Sequence, residues 1–81
     1  MITTGNSLKV LTPAENKKGI ENHKIIAAHL EAAAKNHLEA AKHHAEENHE
    51  KAARSTIIAQ GHLVIANEAQ KEDAKRHTNI I

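Results

Sequence analysis

Between Ile20 and His44 one stripe recurs every three or four residues: Ile20, His23, Ala27, Leu30, Ala34, His37, Ala41 and His44. Alternating steps of three and four average the 3.5-residue repeat of helices that wind around one another. The stripe lasts more than three heptads and is flanked by Ile26, Ala33 and Ala40. A chain with this pattern is committed to packing helix on helix. Its oddity is that three of the eight stripe positions are histidine. Lys35 to Glu39 and Lys42 to Glu46 are four apart on the outer faces. Each such pair adds about 0.2–0.5 kcal/mol to the helix.

The helix has a marked start. In Thr12-Pro13-Ala14-Glu15, Thr12 is a good N-cap, Pro13 suits the first helical position, and Glu15 completes a capping box three residues on. The apolar rhythm then breaks at Ala45-Glu46-Glu47-Asn48, where Asn48 can end one helix in the left-handed region or cap the next. A second stripe follows: Ala52, Thr56, Ala59, Leu63, Ala66 and Gln70, with Ser55, Ile58, His62, Ile65 and Ala69 beside it. Ile57 and Val64 widen it, so this helix needs more than one neighbour. Gly61 within it costs helix propensity and suits close approach by another backbone.

The expected fold is therefore all-α. A leader strap (residues 1–11) precedes a helical hairpin (residues 12–81), with helix one about 13–47, a turn near 48 and helix two about 49–77. The rival is one continuous helix from Pro13 to His77, disfavoured by the break before Asn48. Ile80 and Ile81 form an apolar tail that docks on the bundle. At 81 residues there is room for one domain, and nearly half of the 40% hydrophobic residues are alanines, with no aromatics. Cores of this size rarely supply more than about 3–5 kcal/mol. Self-association, most simply a homodimer forming a four-helix bundle, is the natural remedy.

Other classes are disfavoured. The absence of cysteine excludes disulfides and thiolate sites. A net charge of +1 and the lack of aromatics argue against nucleic-acid binding. The N-terminus lacks the form of a secretion signal, and no run approaches the ~20 apolar residues of a membrane span. The expectation is a soluble cytoplasmic protein. No serine-nucleophile elbow, phosphate-cradling loop or HExxH occurs, so no enzyme is expected.

Eight histidines in such a chain point to metal or proton chemistry. Neutral imidazole is a common ligand of Zn, Cu and Ni. Successive histidines from 23 to 49 are separated by six, eight, six, one and five residues, so neighbours supply no i,i+3 or i,i+4 pair. Mixed pairs exist: Glu39 with His43, His43 with Glu47, Glu46 with His49, and Asp73 with His77. Glu46-x-x-His49 has the spacing of a di-metal four-helix bundle ligand pair, but it straddles the turn. Folding the hairpin at Asn48 places His37 by Gln60, within a turn of Thr56 and His62. His37 and His62 are then the best ligands from different helices. His23, His37, His44 and His62, if buried neutral, would also make a pH switch, losing stability as pH falls through about 6.

HLEAAAKNHLEAAKHH (His29 to His44), ENHEKAA, ARSTIIAQGH and NEAQKEDAKRH resemble a group of small Ala- and His-rich bacterial proteins of uncharacterised function. The resemblance spans roughly Gly19 to Asn79; STIIAQGH followed by NEAQKED is its most specific part. Members of that group carry Gly-Asp or Gly-Asn at the turn, where this chain has Glu47-Asn48, and more histidine in the second helix. The resemblance implies a hairpin and no activity. The expected function is a structural or interaction protein with accessory divalent-metal binding. The alternatives are a dedicated Zn, Cu or Ni protein and a pH-responsive oligomer.

Overall fold

A computed structural model describes residues 12–78, with side chains described through residue 75. The leader strap, the Ile80-Ile81 tail and the side chain of His77 lie outside the described residues. Two antiparallel helices pack along their length: α1 (Pro13–Ala45) and α2 (His49–Thr78). The body measures 59 × 23 × 14 Å, a slab one helix thick.

α1 begins on its capping box. Thr12 Oγ1 accepts the Glu15 N–H at 3.1 Å, while Glu15 Oε1 accepts the Thr12 N–H at 2.9 Å. Two of the donors orphaned at a helix start are thereby satisfied. The chain reverses through a Schellman turn built without glycine. The Glu47 N–H donates to the His44 carbonyl at 2.9 Å and the Asn48 N–H to the His43 carbonyl at 2.7 Å. Those are the two closing bonds of that motif, with the left-handed position filled by Glu47 at φ 58°. Asn48 serves the next helix as well, its Oδ1 accepting the Lys51 N–H at 3.3 Å. α1 thus stops at Ala45 rather than near residue 47.

The seam between the helices differs from the stripe expected on α1 by one residue. Gly19, Asn22, Ile26, His29, Ala33, Asn36, Ala40 and His43 are buried or half-buried. Every member of the expected stripe, from Ile20 through His23 and His37 to His44, is exposed. On α2 the inner row is Asn48, Ala52, Ser55, Ala59, His62, Ala66, Ala69 and Asp73. Thr56 and Gln70, also expected inside, are exposed.

Alanine explains the choice. Ala33 is 2% exposed, and Ala52, Ala59 and Ala66 are 0% exposed. Small side chains recurring at seven-residue intervals on both helices let the axes approach the short end of the usual 8–10 Å range. The rungs between them carry polar groups that find backbone partners. Asn22 Nδ2 donates across the seam to the Ala69 carbonyl at 2.9 Å, and Asn36 Nδ2 donates to the Ala32 carbonyl at 2.8 Å. In this close-packed register Leu30 and Ile20 turn outward.

Candidate functional site: the imidazole pairs

One polar row runs up the seam side of α1 at seven-residue intervals: Asn22, His29, Asn36 and His43. At its centre His29 meets His62 of α2, Nδ1 to Nδ1 at 2.8 Å, with ring centroids 5.0 Å apart and planes 34° from parallel. Both rings are half-buried. A second pair closes the turn end, where His44 and His49 also meet Nδ1 to Nδ1 at 2.8 Å, fully on the exposed side.

This contact has a definite proton stoichiometry. One Nδ1 carries hydrogen and donates; the other offers its lone pair and accepts. Protonating both rings removes the acceptor and places two cations face to face. Metal binding uses the same atoms differently. A tetrahedral Zn with bonds of about 2.0–2.1 Å holds two ligand nitrogens roughly 3.3 Å apart. Either pair would need to open by about half an ångström to clasp such an ion.

The carboxylates stand elsewhere. His43 Nε2 lies 3.8 Å from Glu39 and its Nδ1 lies 3.8 Å from Glu46, both beyond hydrogen-bond distance. His23 Nε2 approaches the buried Asp73 at 3.0 Å near the open end.

The residues singled out from sequence are therefore dispersed. His37 is exposed beside the seam, and His62 is paired with His29, about two turns earlier on α1 than the partner expected for it. Glu39, His43 and Glu46 gather loosely on the last turns of α1. Glu46 caps the helix and His49 opens the next, so their i,i+3 spacing is not continuous helix. Glu47 is held by the turn. Among the described residues no group of three or more His, Asp or Glu converges as a metal would require. His29 is the residue that the sequence reading missed, although the row Asn22, His29, Asn36, His43 carried its signal.

Among the described residues no helix is long and apolar enough to cross a membrane. No protein-family model, no curated protein and no solved structure matches the chain.

Proposed function

We propose that this chain is a small structural and interaction protein whose hairpin pairs with a second copy to form a four-helix bundle. The supporting observation is an imbalance of burial. Among the described residues, the buried apolar ones are Ile26 and five alanines, while eight larger aliphatic side chains are 43–73% exposed. The described residues form a slab 14 Å thick, with no second layer among them against which to place these side chains. Exposed aliphatic surface of this kind drives association. Sedimentation equilibrium of the tag-free chain tests the reading. A mass near twice 8.8 kDa supports it, and a monomer up to millimolar concentration refutes it.

Divalent-metal binding enters as an accessory property of the imidazole pairs, each offering two nitrogens at 2.8 Å. Titration with Zn, Cu or Ni should give weak, non-integral binding. Stoichiometric binding at micromolar strength or tighter, with a raised melting point, would make metal the main function instead.

A second reading, a pH-responsive assembly, is favoured by the His29–His62 contact alone. That contact joins both helices and takes only one bridging hydrogen. The other titratable side chains along the seam are His43 and the Asp73–His23 pair. Melting temperatures at pH 5 and pH 7.5 test this reading: a lower value at pH 5, with the difference reduced by His29→Asn, supports it. An unchanged difference in that variant would remove the His29–His62 pair as its cause.

A further inference from the structure

Each helix carries a second stripe, displaced by one residue from the seam. On α1 it is the set of eight from Ile20 to His44 that the hairpin leaves exposed. On α2 it runs through Ala53, Thr56, Gln60, Leu63, Asn67 and Gln70, exposed except for the half-buried Leu63. The His44–His49 contact at 2.8 Å puts the two stripes on one side of the slab. Steps of seven from that pair, back along α1 and forward along α2, bring His37 level with Thr56 and Leu30 level with Leu63. At the far end His23 still reaches across to α2, where Asp73 lies at 3.0 Å.

The angle between stripe and seam says what covers this side. One residue turns a helix through about 100°. The two neighbours of a helix in a square four-helix bundle lie about 90° apart. Both helices of the hairpin therefore offer a second packing surface in the direction where such a bundle needs one. The described face measures 59 × 23 Å, more than the roughly 800 Å² that a stable interface takes from each partner.

Charge separates this side from the other. Neither second stripe contains an Asp, Glu, Lys or Arg, although 26% of the chain is charged. On the opposite side, one residue before the seam, Ile25 stands between Lys18 and Lys35, and Ile58 and Ile65 stand between Arg54 and Glu72. Lys18, Glu21, Ile25 and Glu72 line one open groove there. Covering that side would strip water from charged groups, which is costly unless each finds a partner. The uncharged side carries no such cost, and no two-fold stacking of it sets fixed charges of one sign together. An isologous contact requires that compatibility of a surface with itself. Ile20 and Leu30, 50% and 43% exposed in the hairpin, and Leu63 are its larger apolar members. The rest repeats the composition of the hairpin's own seam, alanines alternating with imidazole, amide and hydroxyl groups.

We infer that two copies of this chain stack through this uncharged side, the Ile20–His44 stripe of α1 and the Ala53–Gln70 stripe of α2. This rests on the self-association proposed above and assigns it a face. Because Ala34 stands on that face, melts that probe the hairpin alone belong at chain concentrations where it is monomeric.

Full-length wild type, Ala34→Glu, Gln60→Glu and Ala28→Glu are compared by sedimentation equilibrium at pH 7.5 in 0.1 M salt, with circular dichroism confirming equal helix content. All three positions are exposed in the hairpin, and Gln60→Glu changes charge with almost no change of shape. Ala34 and Gln60 lie on the uncharged side and Ala28 on the opposite one. The first two changes each bury a carboxylate twice per dimer and should raise the dissociation constant at least tenfold. Ala28→Glu should leave it within about twofold. Association weakened as much by Ala28→Glu as by the stripe variants would overturn the inference. Four proteins that associate equally well would also overturn it, leaving self-association standing through another surface. A wild type that stays monomeric would sink this inference together with the reading beneath it.

Discussion

Replacing Ala33 and, separately, its neighbour Ala34 by leucine asks which stripe of α1 faces inward. Ala33 is 2% exposed on the seam; Ala34 is exposed beside it. Leucine adds three carbons, and the seam's 0% exposed alanines on α2 leave no opening for them. Overpacking of this kind typically costs about 1–3 kcal/mol. For a domain of this length each kcal/mol moves the melting temperature by about 4–8 °C, so Ala33→Leu should lower it on the order of 10 °C. Ala34→Leu exchanges two good helix formers on an open flank, and should stay within about 0.5 kcal/mol, or roughly 4 °C. Both are measured by circular dichroism melts at 222 nm and one fixed chain concentration, because association would otherwise shift the midpoint. Equal losses, or a larger loss at Ala34, would refute the seam register and with it the packing argument.

Four further substitutions, in three experiments, probe other parts of the hairpin. His29→Ala, His62→Ala and the double change form a thermodynamic cycle, expected to give about 0.5–1.5 kcal/mol of coupling in chemical denaturation; additive losses would deny the imidazole contact. Glu47→Gly relieves a left-handed residue at φ 58° and should raise stability by up to about 1 kcal/mol. A lower melting temperature would argue against that turn. Thr12→Ala removes the capping oxygen of α1 and should cost about 1 kcal/mol, read as a lower denaturation midpoint with an unchanged slope.

The hairpin was legible because its signals are local: a capping box at Thr12, a break after Ala45, and apolar periodicity on either side. The seam register was harder to read, since Ala27-Ala28, Ala32-Ala33-Ala34, Ala40-Ala41 and His43-His44 let the stripe slide by one residue without changing its character. Alanine beside alanine carries no size contrast, so the choice falls to the partner helix, whose Ala52, Ala59 and Ala66 fit a matching row. The same degeneracy hid His29 and promoted His37. The turn misled for a related reason. A Schellman closure usually advertises itself with glycine, and here Glu47 occupies that place, so the end of α1 at Ala45 went unmarked.

Asn48 closes the C-terminus of α1 and opens α2. The link consequently has no slack, and its length is part of the code that decides which side of α2 looks inward. One extra residue there would have to bulge out and sacrifice the closing bonds, or be absorbed by rolling α2 through about 100°. Rolling would carry Ala59 out of the seam and bring an isoleucine toward it, turning a tightly zipped pair into a loose one. The three residues of the bend therefore act as a gauge for thirty residues of helix beyond it.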